Sequence, residues 1–377
     1  MKCNVFAPRT VISLIFCLSI INENFTKNNN ILIISTSKTD FDSKLIKLLL
    51  PYLKINFSKI FIFKEQLNQI GYFSSDIYNA NFITRLFYLH KRVSFLQHNK
   101  TLKKISEYDV ENFYGGGNLL EEVFYLLLKK KPNFFYVEHG IGNIISFVKF
   151  EKLFIIKKIY FNILRFFFYI KVTNYFPVIY SGYMGLLNQI ITKKIFINKV
   201  KVSSILIKNV LNILKDLSKI CTPLFNKNIK KKKYVFLRLE NLQLKKNNED
   251  FKILINRTYK LIKKDETILM KLHPNDINNY QIINFLKSFF MERNIKFLFI
   301  KNNFLSKIPV EIFILQLRIK KIISLVSAVP LFSSCIFKDV KNYMFLDYSM
   351  KYPIANLPEL DPTNRFIYKF FKRINFI

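Results

Sequence analysis

The chain of 377 residues contains no tryptophan, eight glycines, four histidines and four cysteines, and its 25 acidic residues stand against 60 basic ones. These shortages exclude several classes. No glycine follows Gly185, so the second half cannot carry a glycine-rich phosphate loop, and neither a GxGxxG nor a Walker sequence occurs. Cys3, Cys17, Cys221 and Cys335 form no CxxC pair and no zinc spacing. Cysteines so scattered in a chain of this size point to packed, reduced thiols in a cytoplasmic setting. The apolar run Val11 to Ile21 has a signal or anchor as its alternative reading, although it is shorter than the roughly 20 residues of a membrane span. It also lacks a small-residue cleavage site, since Asn22-Glu23-Asn24 follows.

Half the residues are hydrophobic and 23% are charged, which excludes a disordered chain, and the length suits two domains. The balance of +35 attracts polyanions, anionic lipid and phosphorylated substrates. A nucleic-acid partner is not expected, because zinc-finger spacing, RNP-like strands and basic heptads are all missing. The runs Lys129-Lys130-Lys131 and Lys230 to Lys233 read as solvated faces or linkers. A non-enzymatic basic binding protein stands as one alternative for the whole chain.

Cys3 to Ala7 reads as a buried strand, and Pro8-Arg9-Thr10 as a turn whose Thr10 can cap a buried helix over Val11 to Ile21. Ile31 to Ser35 follows as the next strand, completing a βαβ unit of an α/β protein. Further apolar strands are expected at Lys59 to Phe63, Phe134 to Val137, Tyr234 to Leu237, Thr267 to Lys271, Lys296 to Ile300 and Lys320 to Leu325. A helix is expected over Leu119 to Lys130. The Asn- and Lys-rich stretch Thr222 to Lys233 reads as a linker between two domains. The aromatic and basic stretch Lys157 to Leu187 has two readings: a core helix followed by a strand, or a surface resting on anionic membrane.

Five of the eight glycines fall in two loops, Gly115-Gly116-Gly117 and Gly140 with Gly142. Glycine at such a place lets a ligand approach the backbone. Two of the four histidines directly follow apolar strands, in Glu138-His139-Gly140 and in His273-Pro274. In α/β sheets ligands bind at the carboxyl ends of strands, so these two are candidate catalytic groups. His90 and His98 sit in a basic, helical-looking stretch and read as structural. Ser324 and Ser327 lie where a strand runs into a helix start, a setting suited either to a phosphate or to ordinary capping. Upstream, Pro309-Val310-Glu311 opens an apolar helix, and Glu311 is either a first-turn residue or a holder of ribose hydroxyls.

Glu138-His139-Gly140, His273-Pro274 and Ser324 to Ser327, in this order, resemble three motifs of bacterial sialyltransferases of glycosyltransferase family 52 and the related capsule polysialyltransferases. The opening CNVFAPRTVISLIF and Pro309-Val310-Glu311 resemble other parts of that group, so the similarity spans most of the chain. The resemblance implies an α/β GT-B fold, with two Rossmann-like domains facing each other across a cleft. Residues 1–222 would be the acceptor side, 223–233 the linker and 234–377 the donor domain.

It implies an inverting transfer of sialic acid or a related nonulosonate, without metal or cofactor. The donor would be a CMP-sugar and the acceptor a cell-surface glycan, lipooligosaccharide or capsule. It also implies roles. An acid of the first motif is the general base, with Gly116 and Gly140 in acceptor-side loops. His273 is the general acid or clamp at the donor phosphate, beside Pro274, and Ser324 and Ser327 hold that phosphate. The family's second acidic position is His139 here, so either Glu138 is the base or His139 has taken that role. Lys271-Leu272-His273-Pro274 also resembles a motif of CDP-glycerol-dependent teichoic-acid polymerases, which makes glycerophosphate transfer the alternative reaction. With its charge and the Arg165-Phe166-Phe167-Phe168 segment, the chain is expected on the inner face of the cell membrane as a peripheral protein.

Overall fold

The computed structural model describes residues 2–8, 10–24, 29–36, 41, 43–64, 100–115, 132–137, 178–181, 202–204, 207–225, 232–238, 249–271, 280–300, 305–324, 327–345 and 374–376. The chain divides into two compact units, Met1–Leu206 and Ile207–Ile377.

Among the described residues of the first unit, seven strands form one parallel sheet. They are β1 (Cys3–Ala7), β2 (Asn30–Thr36), β3 (Lys59–Lys64), β4 (Val110–Gly115), β5 (Asn133–Val137), β6 (Val178–Ser181) and β7 (Val202–Ser204), in the order β3-β2-β1-β4-β5-β6-β7. Helices α1 (Val11–Asn24), α2 (Ser43–Asn56) and α3 (Lys100–Ile105) lie in the connections. Strand β1 is buried along its whole length, as a parallel strand covered on both faces must be. Helix α1 is apolar nearly all round and correspondingly buried, with Leu14, Ile15, Phe16, Cys17 and Leu18 at or near zero exposure. Its start is a reciprocal cap: Ser13 N–H donates to Thr10 Oγ1 at 3.2 Å, and Thr10 N–H donates to Ser13 Oγ at 2.9 Å. The expected strand, capped helix and strand are therefore all present at the amino terminus.

Two side-chain ladders fix the register of this sheet. Asn133 Nδ2 donates to Asn112 Oδ1 at 3.1 Å, Asn112 Nδ2 to Asn4 Oδ1 at 2.8 Å, and Asn4 Nδ2 to Asn30 Oδ1 at 3.2 Å. Two residues further along, Phe6 stacks on Tyr114 (4.5 Å between centroids) and Tyr114 on Phe135 (4.7 Å). Successive side chains alternate between faces, so both ladders run on the same face, and a one-residue slip of any of β1, β4 or β5 breaks both.

In the second unit the described strands are β8 (Lys233–Arg238), β9 (Glu266–Met270), β10 (Lys296–Phe299), β11 (Lys321–Ser324), β12 (Lys341–Met344) and β13 (Ile374–Phe376). They too are parallel, in the order β10-β9-β8-β11-β12-β13. The helices are α4 (Ile207–Cys221), α5 (Glu249–Lys260), α6 (Tyr280–Met291), α7 (Val310–Leu317) and α8 (Ala328–Ile336). Val235 and Leu237 of β8, Ile268 and Met270 of β9, and Leu254, Leu286 and Phe290 from α5 and α6 share one buried cluster. At the amino edge, Lys321 Nζ bridges Glu266 (2.7 Å to Oε2) and donates to the Leu261 carbonyl at 2.7 Å. This ties β11 to β9 across β8.

The sequence division, with its linker at 223–233, puts α4 before the linker; α4 packs against α7 and α8 and falls in the compact unit Ile207–Ile377. Its Val210, Ile213, Leu214, Leu217 and Cys221 are buried on one stripe. Gln316 Nε2 of α7 holds its end, donating to the Ser218 carbonyl at 2.6 Å and to Thr222 Oγ1 at 3.0 Å. The expected helix Leu119 to Lys130 lies outside the described residues, as does most of Lys157 to Leu187, of which only the strand β6 is described.

The asparagine ladder gives a stability prediction. Asn4→Val removes the shared rung and strips partners from Asn30 and Asn112 inside the sheet, which costs about 2 kcal/mol. The guanidinium midpoint of the variant is expected to fall accordingly; an unchanged midpoint would show that the ladder adds nothing to the backbone pairing.

Candidate functional site

Both sheets reverse their strand order next to the first strand: between β1 and β4 in the first unit, between β8 and β11 in the second. The carboxyl ends of strands beside such a reversal form the crevice where α/β sheets bind ligands. In the first unit the strands that lead into the candidate motifs end at Gly115 and Val137. The motif residues Gly116, Glu138, His139 and Gly140 themselves lie outside the described residues, as do His273 and Pro274 in the second.

The second unit is described more fully at its crevice. Ser324 is the last residue of β11 and pairs in register with Arg238, the last residue of β8. Its carbonyl accepts from Phe345 N–H at 2.9 Å. Its hydroxyl is fully buried and has no hydrogen-bond partner among the described residues. Leaving a buried hydroxyl unpaired costs about 1–3 kcal/mol, so the position is one where a ligand group has something to satisfy. Three residues on, Ser327 is the N-cap of α8, extended at φ −148° and ψ 152°, with Oγ accepting from Val329 N–H at 3.2 Å. A capping hydroxyl still has its own hydrogen to donate, so the capping reading and the ligand reading are compatible.

Glu311 is the second residue of α7, whose N-cap is Pro309 and supplies no side-chain cap. It is only 3% exposed. Burial pushes its carboxyl above the usual value of 4.5, while its own backbone N–H and the charges of Arg238 and Lys271 pull the other way. Glu311 is thus a first-turn residue, as one of the two sequence readings had it, and it is also a buried carboxyl within the electrostatic reach of two cations at strand ends.

Arg238 is a residue that the motif reading passed over, and Lys271 entered it only as the first residue of the Lys-x-His-Pro resemblance, without a role. Arg238 ends β8 and Lys271 directly follows β9, adjacent strands of the sheet. Lys271 is 9% exposed. The signal was available, for the rule that singled out His139 and His273, a titratable group just past an apolar strand, applies equally to YVFL-Arg238 and TILM-Lys271. The structure therefore brings Glu311, Ser324 and Ser327 to one edge of one unit and adds Arg238 and Lys271 to them.

All four cysteines are free, and burial pushes the Cys221 thiol up to about 11, far from a reactive thiolate. Among the described residues no group of three or more His, Cys, Asp or Glu is placed to hold a metal ion. Among them also, no helix is long and apolar enough to cross a membrane.

The raised pKa of Glu311 has a definite consequence for stability. A carboxyl that binds its proton more tightly when folded stabilises the fold fully only at acid pH, and this contribution is lost as pH rises from the unfolded value through the folded one. Glu311→Gln mimics the neutral form at every pH. It is expected to be no less stable than the parent at pH 7, with the parent gaining on it as pH falls towards 4.5. Melting temperatures across pH 4 to 8 test this, and a variant that is less stable at neutral pH, with the gap closing on acidification, gives the opposite sign.

No family model matches the sequence, and no curated protein matches it. Solved structures do resemble it. A 2,6-sialyltransferase of Photobacterium sp. JT-ISH-224, in a ternary complex with donor product CMP and acceptor substrate lactose, is 12% identical with a TM-score of 0.53; the match covers 100% of this chain and 78% of that one. The UDP-GlcNAc 2-epimerase of Methanocaldococcus jannaschii, in complex with UDP-GlcNAc and UDP, is 14% identical with a TM-score of 0.53, over 100% and 89%. The GT-B domain of a sialyltransferase from Photobacterium damselae is 11% identical with a TM-score of 0.50, over the full length of both chains. At such identities the likeness speaks for architecture, and with two parallel α/β sheets in two units the chain has the GT-B fold.

Proposed function

We propose that this chain is an inverting, metal-independent glycosyltransferase that moves sialic acid, or a related nonulosonate, from a CMP-sugar to a glycan acceptor. The observation that carries the reading is the set of buried polar groups at the β8/β11 crevice: Glu311, the unpartnered Ser324 hydroxyl and the α8 cap Ser327. A buried carboxylate suits ribose hydroxyls, and hydroxyls at a helix start suit one phosphate. In the transfer, the acceptor oxygen bonds to the anomeric carbon as the carbon–oxygen bond to the phosphate breaks. Glu138, or His139 beside it, takes the acceptor proton, and His273 meets the charge that develops on the departing phosphate. Similarly folded proteins that handle CMP or UDP-GlcNAc support a nucleotide-sugar donor, and the motif order supports the sialyl group.

A donor screen tests this. The pure protein is incubated with CMP-sialic acid, CDP-glycerol and UDP-GlcNAc in the presence of glycan acceptors, and nucleotide release and product are measured. Release of CMP with sialylated product is expected, and it should persist in EDTA. The chelation arm matters because the chain holds one Asp-x-Asp triplet, Asp40-Phe41-Asp42, of a kind that holds metal in other transferases. Activity that collapses in EDTA and returns with manganese would overturn the metal-free mechanism. His273→Ala should lower turnover about a hundredfold or more, the scale of an acid–base group.

The same reading extends to location: a peripheral enzyme on the anionic, cytoplasmic leaflet, drawn there by its +35 charge. Cosedimentation with phosphatidylserine vesicles is expected to weaken steadily as salt rises and to vanish with neutral lipid. Binding indifferent to both would point to apolar insertion instead.

A further inference from the structure

Cations are unremarkable on the surface of so basic a chain, but Arg238 and Lys271 are not placed as surface cations. They stand at the carboxyl ends of two adjacent central strands, next to the point where the sheet order reverses. Lys271 is buried, and both lie near enough to the buried Glu311 for their charges to act on its carboxyl. Lysine is almost never buried to this degree unless a specific partner or ligand compensates it. One account is purely structural, two cations whose charge partly offsets that of a carboxyl buried in the first turn of α7. A second, independent observation points beyond that. Of the buried hydroxyls without a partner among the described residues, those of Tyr234, Ser324 and Ser333, only Ser324 lies at the carboxyl end of a strand, and it is the residue in register with Arg238. Two cations, a free hydroxyl and the start of α8 thus converge on one edge, and what they have in common is complementarity to a phosphate.

We infer that Arg238 and Lys271 are donor-binding residues that hold the nucleotide's phosphate, beside the Ser324 hydroxyl and the start of α8. The inference rests on the nucleotide-sugar reading above and adds to it the charged part of the donor site. Holding by two strand-end cations differs from holding by hydroxyls and a helix start alone. It makes the phosphate, rather than the base or the sugar, the main source of affinity.

The test compares CMP with cytidine, which differ only by that phosphate, binding to the full chain by calorimetry at fixed ionic strength. The parent should bind CMP much more tightly than cytidine. Arg238→Gln and Lys271→Gln should each weaken CMP binding roughly tenfold to a hundredfold, the range for a hydrogen bond to a charged group, and leave cytidine binding unchanged. Lys271→Met, which keeps the length and apolar stem, serves as the second variant where the glutamine change prevents folding, with circular dichroism as the check. Folded variants that bind CMP as the parent does, or that lose CMP and cytidine in equal proportion, overturn the inference and leave the two cations a structural role only. A parent that binds neither CMP, CDP nor UDP overturns the nucleotide-sugar reading itself, a separate and recognisable result.

Discussion

Every described strand in each sheet runs in the same direction as its neighbours, and the placement of polar groups depends on that alignment. A parallel sheet covered on both faces has an apolar interior, so polar and charged side chains can stand only near its two edges. The two edges are used differently. Near the amino edge of the first sheet stands the asparagine ladder, and at that of the second the Lys321–Glu266 pair beside Lys233–Asp265. These groups satisfy one another and set register. At the carboxyl edge stand Arg238, Lys271 and Ser324, whose neighbours are a buried carboxyl and a helix start. In β8, β9 and β11 one end of the strand thus serves alignment and the other is left for chemistry.

The same division explains what the sequence made legible. Strands β1, β2, β3, β5, β8, β9, β10 and β11 are apolar runs, and an apolar run bounded by turn residues is easy to read. Strand β4, VENFYG, was missed because its Asn112 is a ladder residue and its Glu111 pairs with Lys2 at the surface, so polar positions interrupt the apolar run. Strands β7, β12 and β13 are three or four residues long and carry too little pattern to stand out. Helix α4, which the sequence reading did not single out, carries its buried residues on one stripe, and the lysine run that follows it is what drew the linker to 223–233. In the candidate site, Ser324, Ser327 and Glu311 were found through motif order. Arg238 was not, and Lys271 was noted only in a motif and given no role, because in a chain with 60 basic residues a cation at a strand end reads as one more solvated charge until its place in the sheet is seen.

Burial also separates two uses of positive charge that composition alone runs together. The surface lysines create a field that gathers anions of every kind, but salt screens it beyond about 8 Å at physiological ionic strength. Such a field raises the rate of encounter without distinguishing one phosphate from another. Discrimination requires charges whose positions are fixed and whose surroundings screen them little. Lys271 and Arg238 come nearer that condition than surface lysines do, because each stands at the end of an ordered strand and Lys271 is buried. The penalty shows in the raised pKa of Glu311, a carboxyl the fold would hold more easily without its charge. A fold carries such a group only if the rest of the sheet is secured independently of it, and the self-satisfied groups at the amino edges meet that requirement.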